Sequence, residues 1–354
     1  AGRYRAGMAV PGTKFRAPAL RRQLVPRERL LNLASATTSM PRLLLIAAPA
    51  GFGKTTLLSQ WLVAGGQADD RHPSLVAWVA LDDGDTEVGQ FLTNLTTAIR
   101  GVADGLGEEA LALLTNSRTL PTEEVVASLI NDLDEVDGRT VIALDDYHLA
   151  DSPEVNDAVA FLLDHLPPNV TVAMTTRADP GLPLARLRSR GELLEIRAAD
   201  LRFTQDEAYV FFNRVMELDL DPESVAALEK RTEGWAAGLQ LAALSVRGVG
   251  GSSGAVSDFV DSFSGSHRFV LDYLVEEVLA GQSEQTRQFL IATSVLHQLT
   301  GELCDRLTGR NDGNATLQAL DRGNVFVVPL DEQRQWYRYH HLFADALRAR
   351  LASE

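Results

Sequence analysis

Five short apolar runs of strand length recur through residues 23–200, at 43–48, 76–81, 141–144, 170–175 and 193–197. Each is cut off by polar or charged residues, and none has the alternation of a strand with one wet face. Strands covered on both faces read this way. Helical periodicity fills the gaps, at 57–63, 88–100 and 122–135, and a short helix carrying Leu30, Leu31 and Leu33 precedes the first run, with Pro26 at a plausible first helical position. The alternation predicts an α/β domain built on a five-stranded parallel sheet. After Thr204 only helical patterns remain, at 206–216, 222–230 and 235–246, followed by a Gly/Ser-rich break at 248–255. Beyond it come helical runs at 267–280, 283–294, 300–308 and 315–322. Two strand-like runs, 325–330 and 335–339, then flank Asp331-Glu332-Gln333-Arg334, and a last helix carries Leu342, Phe343, Leu347 and Leu351. Helices followed by a hairpin predict a winged helix. The parts are therefore a basic lead-in at 1–22, an α/β domain at 23–200, a helical domain at 201–265 and a winged-helix domain at 266–354.

Between the first apolar run and its helix lies Ala48-Pro49-Ala50-Gly51-Phe52-Gly53-Lys54-Thr55-Thr56. Strand, glycine-bearing loop, then helix points backbone N–H groups and a helix N-terminus at one spot, which suits a polyphosphate. Residues 50–56 would cradle it, Lys54 would reach the β- and γ-phosphates, and the Thr55 hydroxyl would hold Mg²⁺. The usual pattern, G-x-x-x-x-G-K-[ST], is met except at its first position, where Ala48 replaces Gly.

Such a loop needs an acid at the end of a neighbouring strand, and the run at 141–144 ends in Asp145-Asp146. Asp145 is placed to complete the metal shell and Asp146 to orient or deprotonate the attacking water. Arg177 follows the next strand, at the carboxyl edge where open α/β sheets bind ligands; it is either a γ-phosphate sensor or a solvated strand-end arginine. His340 and His341 open the last helix, where adjacent positions diverge, and imply no metal.

Composition narrows the classes. The 354 residues carry a formal net charge of −15, which argues against nonspecific attraction to nucleic acid or anionic membrane. The bases Arg3, Arg5, Lys14, Arg16, Arg21 and Arg22, with no acid among them, read as a solvated lead-in. Acids and bases nearly balance over 283–354, so a DNA surface on the winged helix is not expected. One cysteine permits no internal disulfide, and no apolar run approaches the ~18 residues of a membrane span, which fits a cytoplasmic protein without a membrane partner. The chain begins at Ala1 and reads as a piece of a longer protein.

In order, these motifs resemble the signal-transduction ATPases of the STAND class, specifically the ATPase module of MalT-like large LuxR-type regulators, a module that also occurs behind Ser/Thr kinase domains. The matching stretches are 13–18, 25–31, 48–56, 144–148, 175–180, 233–241 and 336–343. The resemblance implies nucleotide-binding, helical and winged-helix domains that close over ADP and open on exchange for ATP and signal binding. Slow, Mg²⁺-dependent ATP hydrolysis would reset an ATP-bound, self-associating state. It further implies that Arg27 and Glu28 lie on the adenine side, that Arg177 is the sensor arginine and that His340 touches the ADP β-phosphate. The inducer is unidentified, and DNA contacts would belong to domains outside this chain. The sequence departs from the wider class at Pro26, where Gly is usual, and at Gly234-Trp235-Ala236, where Gly-x-Pro is usual. The alternative is a module that holds ADP without hydrolysing ATP, attached to another effector such as a Ser/Thr kinase.

Overall fold

The computed structural model describes residues 10–20, 23–35, 40–65, 75–116, 120–249, 258–260 and 262–353. Arg3, Arg5, Arg21 and Arg22 of the lead-in, and 250–255 of the Gly/Ser-rich break, lie outside the described residues. The five apolar runs form strands β1 (Leu43–Ala47), β2 (Leu75–Ala80), β3 (Thr140–Asp145), β4 (Val170–Thr176) and β5 (Leu193–Arg197). They pair in the order β2-β3-β4-β1-β5, with every neighbouring pair parallel.

The continuous apolar character of β1 has the expected cause. Leu43, Leu45 and Ala47 enter one core, with the helices Val88–Arg100, Thr122–Asp134 and Pro153–His165. Leu44 and Ile46 face the other way, toward the helix Lys54–Gly65 and everything C-terminal to the sheet. Each such fully buried Leu or Ile contributes roughly 1.5–3 kcal/mol. The second core does not stop at the α/β domain. It runs from Ile46, Phe52 and Leu57 through Trp235 and Leu239 to Phe326 and Phe343. The helical and winged-helix segments thus share one apolar core with the sheet.

Past β5 the helices Pro222–Thr232 and Ala236–Val249 lead toward a two-stranded antiparallel sheet, β6 (Val327–Pro329) with β7 (Tyr337–Tyr339), and a last helix His341–Ser353. Two helical runs end in π-turns, Phe211–Val215 and Val275–Leu279. Asp82 and Asp85 form a capping box around the short helix Asp83–Thr86, and the helix Val88–Arg100 that follows starts after Glu87 without a side-chain cap. The lead-in departs from expectation in part. Arg16 is exposed as expected, but Lys14 is not, because Gly12–Phe15 forms a short helix and Lys14 donates to Asp82 at 2.6 Å and to the fully buried Asp85 at 2.7 Å. A lysine whose partners lie some seventy positions along the chain looks unpaired in a sequence window.

Candidate functional site

The loop between β1 and the helix Lys54–Gly65 takes its shape from two glycines with left-handed backbone, Gly51 at φ 75° and Gly53 at φ 79°. They face different surroundings. A Cβ on Gly51 would lie 2.6 Å from Ala237 Cβ and 2.7 Å from the Tyr273 hydroxyl, so the loop's back is pressed against the helical and winged-helix segments. A Cβ on Gly53 would meet nothing within 4 Å, which leaves its front open to a ligand. The back is also hydrogen-bonded. The Trp235 indole N–H donates to the Ala50 carbonyl at 3.0 Å and the Ala237 N–H to the Gly51 carbonyl at 2.9 Å. Phe52, expected only as a backbone contributor to a phosphate cradle, is 3 % exposed, its ring 6.0 Å from that of Phe326. Its side chain anchors the loop to the second core.

Lys54 opens the helix and is itself buried, donating to the Pro49 carbonyl at 3.0 Å. Burial lowers its ammonium to about 8, against the upward pull of Asp146. An ammonium held so far below its usual range gains from a nearby anion, which is what a phosphate would supply. Thr55, next along, donates its hydroxyl to Asp145 Oδ1 at 2.8 Å. The same carboxylate oxygen accepts from Thr175 at 2.6 Å. Strand β4 lies between β1 and β3, so Thr175 is the bridge that fixes the acid of β3 against the loop of β1. Burial raises the Asp145 carboxyl, and the two hydroxyls hold it down. Thr56 lies in the first turn of the same helix.

Among the described residues no group of three or more His, Cys, Asp or Glu could hold a metal ion. The pair Thr55 and Asp145 nonetheless fits Mg²⁺, which takes hard oxygen ligands and is commonly held by one or two protein groups plus substrate phosphates and waters. Asp146 is left-handed at φ 57°, its N–H donating to Thr175 Oγ1 at 2.9 Å, and its carboxylate remains partly exposed toward the site. His148 brings Nδ1 to 3.9 Å of that carboxylate. Burial drops its imidazole to about 4 despite Asp146, so the ring is neutral. His148 lies in the 144–148 stretch, and its spacing two residues after Asp146 is the signal for it in the sequence.

Arg177 directly follows β4, and its charge is felt at both Lys54 and His148. Its guanidinium, however, donates to Glu277, at 3.2 Å to the carbonyl and 3.0 Å to Oε2.

Beside Gly53 and Thr56 opens a cavity of about 570 Å³, largely apolar, walled by Gln23 and Val25 on one side and Phe203, Phe211 and Met216 on the other. Sequence reasoning missed this second wall, since Phe211 and Met216 sit in an amphipathic run that reads simply as core and Phe203 lies just before it. Arg27 lines the cavity, but its guanidinium is committed: it donates to Glu207 at 3.1 Å and to the Leu201 carbonyl at 2.8 Å, and stacks 4.3 Å above Phe203. Glu28 is exposed in the first turn of Glu28–Ser35 and forms no part of the wall. His340 precedes the last helix, 2 % exposed, and its Nε2 pairs with the Thr232 carbonyl at 3.0 Å. Its ring packs on Trp235 and Phe326, so the structure links it to the loop through Trp235.

The family model for the MalT winged helix domain matches residues 275–354. The transcriptional regulator MalT of Klebsiella pneumoniae (strain 342) is 35% identical over 347 residues, 98% of this chain and 37% of that regulator. Over nearly its whole length the chain is MalT-like, matching little more than a third of that regulator. The serine/threonine-protein kinase PknK of Mycobacterium tuberculosis (strain H37Rv) carries a similar module, 35% identical over 341 residues, which is 96% of this chain and 30% of that kinase. The chain thus spans 37% and 30% of the lengths of these two relatives. Among solved structures, a Walker-type ATPase of Pyrococcus abyssi superposes with a TM-score of 0.60 at 17% identity, covering 94% of this chain and 98% of that one, and shows the same P-loop fold. The proteins the chain resembles are a transcriptional regulator and a kinase, and its fold is that of a P-loop ATPase. No helix among its described residues is long and apolar enough to cross a membrane.

Proposed function

We propose that the chain is the ATP/ADP-binding switch of a cytoplasmic, signal-responsive regulator, in which slow ATP hydrolysis returns an ATP-bound, self-associating form to a closed ADP form. One observation carries this reading above all: the back of the phosphate loop is an interdomain contact, held by Trp235 and Ala237. A loop that shifts with its nucleotide must move its partners too, which is what a switch requires and a static scaffold does not.

In this reading the base and ribose enter the apolar cavity and the phosphates lie along the open front at Gly53. Lys54 neutralises the β- and γ-phosphates, and the helix N-terminus it opens adds its dipole. Thr55 and Asp145 hold Mg²⁺, which supplies charge neutralisation on the phosphates. Asp146 orients the attacking water and accepts its proton, beside the neutral ring of His148. Inducer recognition and any DNA contact are assigned to other parts of the longer protein.

The test is Mg²⁺-dependent phosphate release by the wild type, Lys54→Ala and Asp146→Asn. Slow turnover confined to the wild type is expected. Equal rates in all three proteins would refute the assignment, and binding of ADP with no turnover, even when signal-bound and full length, would favour the ADP-holding scaffold.

A further inference from the structure

The Arg177–Glu277 pair has no place in binding ADP, and its geometry gives it one in rejecting ATP. Arg177 emerges from β4 beside the start of the loop, the Ala48 N–H donating to the Thr176 carbonyl at 3.2 Å. A nucleotide seated on the loop would extend its third phosphate toward this strand end, where the charges of Lys54 and Arg177 already influence each other. That guanidinium is engaged. Glu277 takes Nη2 with its carboxylate and Nη1 with its carbonyl. The helix that brings Glu277 also touches the loop, since Tyr273 four residues earlier carries the hydroxyl that abuts Gly51. A π-turn, Val275–Leu279, with the Ala280 N–H donating to the Val275 carbonyl at 2.9 Å, follows Tyr273 and contains Glu277. Such turns re-aim side chains and are frequent at functional sites.

Resting on the nucleotide reading above, we propose that Glu277 is the specificity residue that makes the closed form prefer ADP, by occupying Arg177 where a γ-phosphate would bind it. The carboxylate acts twice, taking the guanidinium's donors and placing a like charge beside the incoming phosphate. ADP has no third phosphate and meets neither penalty. Both partners are partly exposed, at 39% for Arg177 and 44% for Glu277, so the pair is weak enough for ATP to displace. Displacement detaches the first segment of the winged-helix region from β4, which ties the third phosphate to opening.

Titration of the protein with MgADP and with a non-hydrolysable ATP analogue, for the wild type, Glu277→Ala and Glu277→Gln, tests this. The ratio of analogue Kd to ADP Kd should fall about tenfold in Glu277→Ala, in line with charge coupling at a half-solvated site, while the ADP Kd changes less than about twofold. Glu277→Gln, which keeps the side-chain shape, should move the ratio in the same direction. In an Arg177→Ala background the Glu277→Ala effect should shrink below about twofold. An unchanged ratio, parallel changes in both affinities, or a full effect without Arg177 overturns the proposal. A wild type that binds neither nucleotide sinks the nucleotide reading itself, and this inference with it.

Discussion

Glu233 is the sharpest point at which to perturb the arrangement of domains. Its carboxylate, only 6% exposed, accepts from both terminal nitrogens of Arg338 at 2.8 Å each and forms an ion pair with Arg202 at 3.1 Å. The His341 N–H donates to it at 3.0 Å, with that ring's Nδ1 at 3.1 Å. One side chain therefore joins two segments of the helical domain, at Arg202 and Glu233, to the winged helix. Burial alone would raise its carboxyl, but the Arg338 hydrogen bonds, the His340 ring and the His341 N–H outweigh it and hold it down at about 2. A drop from 4.5 to about 2 corresponds to about 3 kcal/mol at ~1.4 kcal/mol per pH unit. Because the folded value is depressed, this contribution is fully present above pH 4.5 and is lost as pH falls toward about 2. Glu233→Gln removes the charge and leaves two arginines unpaired. Breaking a fully buried pair costs ~3–5 kcal/mol; with Arg338 and Arg202 partly solvated, about 2–3 kcal/mol is expected at pH 7. Urea unfolding of both proteins, followed by tryptophan fluorescence and far-UV circular dichroism, measures the difference. It should fall to about half by pH ~3.5. Equal stability at pH 7, or a gap that does not narrow on acidification, would refute the reasoning.

Other consequences follow from single contacts. Trp235→Phe keeps the ring packed against Tyr273 and Phe326 but deletes the hydrogen bond to the Ala50 carbonyl, so ADP affinity by calorimetry should fall about 3- to 10-fold with the fold intact. Thr175→Val strips Asp145 of one donor and the Asp146 N–H of its acceptor; a loss of about 1–3 kcal/mol in urea unfolding and a raised Mg²⁺ requirement in the hydrolysis assay are expected. With Lys54 lowered to about 8 in the free protein, ADP binding should take up a proton above that pH and weaken by up to about tenfold per pH unit, a slope that calorimetry in buffers of different ionisation enthalpy detects. Cys304 is buried and its thiol is pushed up to about 11, so it should react with thiol reagents only on unfolding.

The sequence made the sheet legible because strands covered on both faces leave continuous apolar runs, and all five appeared within a few residues of their observed ends. The juxtaposition of Thr55, beside Lys54, with Asp145 was legible as well, since a loop opening a helix next to a strand that ends in an acid brings those ends together. What escaped were polar pairings between distant segments. Trp235 and Ala50 lie 185 positions apart, Arg177 and Glu277 100 apart, and Arg338 and Glu233 105 apart. None of these belongs to a helical or strand period, so each looked like a surface or core residue of its own segment. The same cause misplaced Lys14. The expected roles of Arg27 and Glu28 diverge for a local reason. The chain turns into a helix at Glu28, which leaves Arg27 pointing inward to Glu207 and Phe203 and carries Glu28 outward.

The central claim is that the open front of the loop holds a nucleotide that the closed domains retain. Denaturing the purified protein and separating the released small molecules by chromatography tests it most directly. About one ADP per chain is predicted, absent from Lys54→Ala. A chain that releases no nucleotide and binds none of the added ADP would contradict it.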